Sequence, residues 1–276
     1  MKVRRFVLHG KRQQLGDIHT LLLPIDCCDW KDLSPGGSIA FLIHRDISLE
    51  CLLVPNLPLT AILLNLHNAA AAAGRPDPRL LAVSKTQPAE AVAALAAQGQ
   101  RAFGENYVQE AVAKIDALAA LGLEWHLIGH LQSNKADLAA QRFDWVQSVD
   151  RPKLVAALAA HRPARLAPLN VLIQVNIDDE DSKHGCSPDG LPALATAIAA
   201  EPRLCLRGLM AIPAPWPQVE RRQQAFERMH ALFVALAAAH PQVDTLSMGM
   251  SGDYAEAIAH GASMVRIGTA LFGARH

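Results

Sequence analysis

From residue 57 onward, short apolar runs alternate with Ala-rich stretches of helical period, and the alternation repeats eight times. The apolar runs fall at 80–84, 101–104, 125–129, 145–149, 171–176, 205–211, 245–248 and 264–267, each short enough and apolar enough to be a buried strand. Between them the spacing predicts helices over 89–97, 107–121, 134–141, 152–161, 191–200, 218–239 and 254–260. Pro88 after Thr86 and Pro152 after Asp150 mark helix starts, and Gly99, Gly122 and Gly261 sit where helices stop. Strands separated by helices pair in parallel through right-handed crossovers. Eight such units predict an α/β fold closed into a single (β/α)8 barrel of the TIM type, for which about 220 residues suffice. An open doubly wound sheet is the alternative, but its Gly-rich fingerprint G-x-G-x-x-G is absent after the first strand.

Residues 1–56 lack this order and carry Cys27, Cys28 and Cys51, three of the five cysteines. We expect two parts: an N-terminal extension of unknown structure over 1–56 and a barrel domain over 57–276. A strand or two over 41–54 is the only pattern in the extension, which leaves three readings open: a weakly patterned segment, a regulatory appendage, or a start codon placed too far upstream. The apolar stretch 59–73 is interrupted by Asn65, His67 and Asn68 and reads as a surface helix packed on the barrel.

Lys plus Arg equals Asp plus Glu at 26 each, so no global field favours nucleic acid or an anionic membrane, and neither partner is expected. Aromatic residues make up 5% of the chain, too few for a base-stacking platform. No run reaches transmembrane length, and the basic start lacks the apolar core of a signal peptide. An odd cysteine count with no C-x-x-C pair fits a reducing cytoplasm better than a disulfide framework. The histidines and acids show no local metal-ligand spacing such as H-E-x-x-H, so no metal is expected.

In a barrel of this kind, chemistry belongs at the C-terminal ends of the strands. Lys85 follows the first strand directly. With its stem among barrel side chains and other cations near, its ammonium is expected to give up its proton more readily, leaving amine able to attack an aldehyde. The last strand delivers Arg266, inward by period-two alternation, and then Gly268-Thr269 at the start of a short helix. The seventh ends in Met248-Gly249-Met250-Ser251-Gly252-Asp253, whose hydroxyl and free amides can face the same anion. Ser251 alone reads equally as a helix cap, but the two loops together suit the phosphate site that barrels often build after strands seven and eight. An aldehyde-reactive lysine, a phosphate cradle and an inward arginine point to pyridoxal 5′-phosphate (PLP).

The segments Ala82-Val83-Ser84-Lys85-Thr86, Phe103-Gly104-Glu105-Asn106-Tyr107, His126-Leu127-Ile128-Gly129-His130-Leu131-Gln132, Ser182-Lys183-His184-Gly185, Gly208-Leu209-Met210-Ala211-Ile212-Pro213 and Met250-Ser251-Gly252-Asp253, with the turn Arg266–Thr269, occur in order over about 60–275. Together they resemble the YggS/PROSC family of pyridoxal phosphate homeostasis proteins. The resemblance implies one barrel similar to the N-terminal domain of alanine racemase, without the second domain that completes a racemase site. It implies that Lys85 carries PLP as a Schiff base, that Ser251, Gly268 and Thr269 hold the phosphate, and that Arg266 faces the pyridine nitrogen. Asn106, His126 and Met210 match wall positions beside the cofactor. Residues 1–56 fall outside it.

Arginine is a poor proton donor, so a ring nitrogen facing it stays unprotonated and the cofactor becomes a weaker electron sink. Tyr107 and Tyr254 are the only tyrosines, whereas racemases of this fold take an opposing tyrosine from the partner's second domain. The expectation is therefore a non-catalytic PLP carrier and buffer, with an amino-acid racemase as the alternative. Its partners are then PLP and, transiently, the PLP-dependent apo-enzymes that receive it. A closed barrel leaves no open sheet edge, and a monomer is expected.

Overall fold

The computed structural model describes residues 58–178 and 184–273. The predicted extension 1–56, and Ser182 and Lys183 of the fourth matching segment, lie outside the described residues. Eight strands alternate with helices in the predicted order: β1 (Arg79–Val83), β2 (Ala102–Glu105), β3 (Glu124–Leu127), β4 (Trp145–Val149), β5 (Leu169–Gln174), β6 (Leu204–Met210), β7 (Thr245–Ser247) and β8 (Met264–Ile267). Every neighbouring pair is parallel, and β8 returns to β1 with Leu81 opposite Arg266, so the sheet closes into a barrel. That pairing decides between the barrel and the open sheet.

The helices are α1 (Pro58–Ala72), α2 (Ala89–Ala97), α3 (Val108–Ala117), α4 (Ala136–Arg142), α5 (Pro152–His161), α6 (Leu191–Ala199), α7 (Val219–Ala239), α8 (Tyr254–Ala259) and α9 (Thr269–Phe272). The predicted helix over 107–121 is in fact α3 followed by a 3-10 turn, Ala119–Leu121, because Leu118 leaves the helical region before Gly122 ends the segment at φ 58°. α1 buries Leu59, Ile62, Leu66 and Ala70, one stripe at helical spacing, against α8 and α9. None of the described helices is long and apolar enough to cross a membrane.

All residues of β2, β4, β7 and β8 are buried. Strands covered by helices outside and by barrel side chains inside have no solvent face, so even their polar residues, among them Glu105, Gln147, Ser247 and Arg266, are buried. The outward side chains, among them Phe103, Leu127, Val171, Ile173 and Val265, pack with the Ala-rich helix faces in one continuous core. The inward ones form smaller layers: Leu81, Ala102 and Met264 against Ile128, and Trp145, Leu172 and Met210. At the N-terminal mouth, Arg79 pairs with Glu124 at 2.7 Å, Arg207 pairs with Asp244, and the Arg207 guanidinium lies 5.0 Å over the Trp145 ring. The charged plug closes that end, and the open end is the C-terminal one.

Candidate functional site

A cavity of about 540 Å³ opens at the C-terminal ends of the strands, large enough for a cofactor-sized molecule. Of the residues predicted for the site, Lys85, Asn106, Ser251, Arg266, Gly268 and Thr269 all line it. They come from four strand ends far apart in sequence, and only barrel closure brings them together.

Lys85 is half-buried, and no hydrogen bond or ion pair engages its ammonium among the described residues. Its backbone neighbours are clamped instead. Lys114 on α3 donates to the Ser84 carbonyl at 2.7 Å, to Glu105 Oε1 at 2.8 Å and to Glu110 Oε1 at 2.7 Å. The Ser84 hydroxyl donates to Glu105 Oε1 at 2.6 Å, and the Thr86 amide donates to Glu110 Oε1 at 2.6 Å. Thr86 has φ 64°, a conformation costly for a β-branched residue, and the Glu110 bond helps hold it there. Burial pushes the Glu105 carboxyl above its ordinary range, and the Lys114 and Ser84 bonds only partly offset that. Reading the sequence missed Glu110 and Lys114 as parts of this clamp, and had Glu105 only as a member of a matching segment. The Glu110/Lys114 spacing of four on a helix was a visible signal, although it usually marks only a surface pair.

Across the cavity, two turns present backbone amides. Among the described residues, no oxygen accepts from the N–H of Ser251, Gly252 or Thr269. The first turn is fixed by Asp253, whose carboxylate accepts from the Met250 amide at 2.6 Å while its own amide donates to the Met250 carbonyl at 3.1 Å. Exposed hydroxyls at Ser251 and Thr269 stand beside the unpaired amides, so the two turns can take an anion.

Arg266 is buried, and its guanidinium donates to the Ser247 carbonyl and hydroxyl and to the Ala211 carbonyl, each at 2.8 Å. These neutral acceptors satisfy it without cancelling its charge. Burial lowers its pKa to about 10, which leaves it cationic at neutral pH.

Two predicted wall residues do not line the cavity. His126 and Met210 point into the barrel, but Ile128 and Ile212 occupy the lining on their strands. Each lies two residues below the lining position, one repeat of the pleat, or about 6.6 Å along its strand. His126 is stacked on Trp145 with ring centroids 5.1 Å apart. Its Nδ1 accepts from the Gln147 amide at 2.9 Å and its Nε2–H donates to Glu124, so it is the neutral tautomer. Complete burial holds it neutral by lowering its pKa, against the pull of Glu124. His126 thus belongs to the layer that supports the site. Gly129, which does line the cavity, must be glycine: a Cβ there would lie 2.2 Å from the Asn106 carbonyl oxygen, so the ends of β2 and β3 could not approach.

Residues 57–276 match the family described as alanine racemase, N-terminal domain. The chain is 54% identical over 223 residues to a pyridoxal phosphate homeostasis protein of Pasteurella multocida, covering 79% of this chain and 96% of that one. It is 55% identical over 199 residues to the protein of the same description in Escherichia coli K12, covering 71% and 85%. Among solved structures it resembles PipY of Synechococcus elongatus, at 36% identity in both cases. The TM-score is 0.71 over 78% of this chain and 98% of that one without PLP, and 0.66 over 75% and 100% with PLP bound. An alanine racemase from Corynebacterium glutamicum, 23% identical at a TM-score of 0.55 over 79% of this chain and 62% of that one, shares the fold. The chain therefore belongs to the alanine racemase N-terminal-domain family and, within it, to the YggS/PROSC family of pyridoxal phosphate homeostasis proteins.

Proposed function

We propose that this chain binds PLP in the barrel cavity as a Schiff base on Lys85 and serves as a carrier and buffer of the cofactor. The observation that carries this reading is one cavity holding an unpaired lysine, two amide-bearing turns and a buried, neutrally solvated arginine. The relatives' descriptions and the PLP-bound PipY support it. Ser251, Gly268 and Thr269 would take the phosphate, Asn106 would stand at the wall, and Arg266 would face the ring nitrogen. Bound there, PLP supplies an aldehyde that condenses reversibly with amines and a ring that withdraws electrons. Arg266, cationic at neutral pH, is a poor proton source for that ring, which limits carbanion chemistry. No tyrosine lines the cavity among the described residues, and Tyr107 is 61% exposed. The carrier would act in the cytoplasm as a monomer and pass PLP transiently to apo-enzymes.

The chain mixed with PLP should absorb near about 420 nm, and borohydride reduction should fix the label on the peptide containing Lys85. Lys85→Ala should lose both signals; a label that persists in this variant defeats the assignment. The shared fold keeps a racemase as the second reading. A chiral assay with alanine and serine separates them: no turnover supports the carrier, and enzyme-dependent racemisation overturns it.

A further inference from the structure

Three loops at the cavity rim bring together a set of side chains that no local spacing announces. His130 follows β3, Asp150 follows β4 and His184 precedes α6. One ligand atom from each lies within 4.8 Å of the other two. His130 Nδ1 stands 3.9 Å from Asp150 Oδ2, too far for a hydrogen bond, and the two imidazole rings stack with centroids 3.6 Å apart. Both histidines also line the cavity.

The supports of this cluster are in place. Asp150 is 9% exposed, and one of its oxygens, Oδ1, takes the Arg151 guanidinium at 2.5 Å. Arg151 is itself tied to the Leu131 carbonyl at 2.9 Å, which leaves Oδ2 turned toward His130. The His184 carbonyl accepts from the Gln174 side-chain amide at 3.0 Å, and the Cys186 amide donates to the Gln174 carbonyl at 2.9 Å. Backbone and carboxylate are thus fixed by groups that are not ligands, as supporting groups around metal sites commonly are. A Zn²⁺ ion sits about 2.0–2.2 Å from nitrogen and oxygen ligands. Atoms already within 4.8 Å of one another reach that geometry by turning the exposed His184 ring out of the stack.

We propose that His130, Asp150 and His184 form a binding site for a divalent transition-metal ion, with an open coordination position turned to the cavity. Two imidazoles with one carboxylate suit borderline cations such as Zn²⁺, Co²⁺ or Ni²⁺, whereas Mg²⁺ and Ca²⁺ call for oxygen ligands throughout. Three protein ligands leave a place for water or for an anionic group entering the cavity. The site stands on rim side chains alone, so it does not depend on the proposed Schiff base.

The test is calorimetric titration of the untagged full-length chain with ZnCl₂, after removal of metal by a chelator and of PLP, which itself binds metal ions. One saturable site per chain is expected. His184→Ala, His130→Ala and Asp150→Asn should each weaken it at least about tenfold. Far-UV circular dichroism and the thermal midpoint in chelator check that each variant is folded, and the exposed His184 makes its variant the safest. Co²⁺ should give a visible spectrum of nitrogen and oxygen ligation without sulfur charge transfer, and Cys186→Ser should bind as the parent does. Absence of a saturable site overturns the proposal. So does a site that survives all three substitutions or that is lost only with Cys186.

Discussion

Lys85 is positioned by what holds its neighbours. The Lys114 ammonium is 7% exposed and binds the Ser84 carbonyl together with two carboxylates, one of them, on Glu105, fully buried. Removing the cation of a buried pair leaves its partner uncompensated, at a cost of about 3–5 kcal/mol. Lys114→Met should cost somewhat less, about 2–4 kcal/mol, because Glu110 keeps contact with water and Glu105, already pushed upward by burial, can take a proton. The denaturant midpoint should fall, and the absorbance band of added PLP should weaken at a given concentration as Ser84 and Thr86 lose their common anchor. Glu105→Gln should be milder, since an amide oxygen still accepts from Ser84 and Lys114. An unchanged midpoint in Lys114→Met would show that the clamp is not structural. The resemblance alone placed His126 and Met210 at the wall, whereas period-two alternation carried the inward direction of Arg266. Alternation could not carry depth, because it fixes a face and repeats identically at every layer. Arg266 therefore reached the cavity as expected, whereas His126 and Met210 lie one repeat below it.

At the scale of elements, β6 shows why depth and face come apart. Its ladder to β5 pairs Val171 with Leu206 and then Leu172 with Gly208, so Arg207 is an extra residue. Before this bulge Leu204 and Leu206 pack outward on the helices; after it Leu209 and Ala211 do, and Met210 turns inward. An unbroken strand would have turned Met210 and Ile212 away from the cavity. The bulge depends on Gly208, at φ 146°, where a Cβ would lie 1.9 Å from the Thr245 carbonyl oxygen of β7. Gly208→Ala should therefore cost at least about 3 kcal/mol, from backbone strain and from a clash with a main chain that cannot step aside. A large drop in thermal midpoint and soluble yield is the expected reading, and a near-parental midpoint would show that β7 yields. The strand itself was legible from its apolar run. The bulge was not, because a glycine inside a strand signals only a candidate irregularity.

Across the whole molecule, the two ends of the barrel are joined through its interior. Glu124 at the N-terminal mouth accepts from His126, Gln147 donates to His126 at 2.9 Å, the Ser247 hydroxyl donates to Gln147 Oε1 at 2.8 Å, and Arg266 donates to that hydroxyl at 2.8 Å beneath the cavity. Two main-chain carbonyls and the Ser247 hydroxyl hold Arg266, so the polar thread forms part of the floor of the site. Its outer end is titratable. Burial works to raise the Glu124 carboxyl, but the His126 bond and the bond and charge of Arg79 outweigh it and bring it from 4.5 to about 2. Between those values the unfolded chain binds more protons than the folded one, so the stability that ionised Glu124 contributes is full above about 4.5 and is lost as pH falls toward about 2. His126, held neutral by burial, adds its own loss below 6.5 in both proteins, and without the pull of Glu124 it is held lower still in the variant. The informative quantity is therefore the gap in thermal midpoint between the parent and Glu124→Gln. It should correspond to about 1–2 kcal/mol near neutral pH and close steadily as pH drops through the carboxylate window. A gap that stays constant with pH would mean that Glu124 serves only as a neutral acceptor, and that the charge at the mouth does not bear on the thread above it.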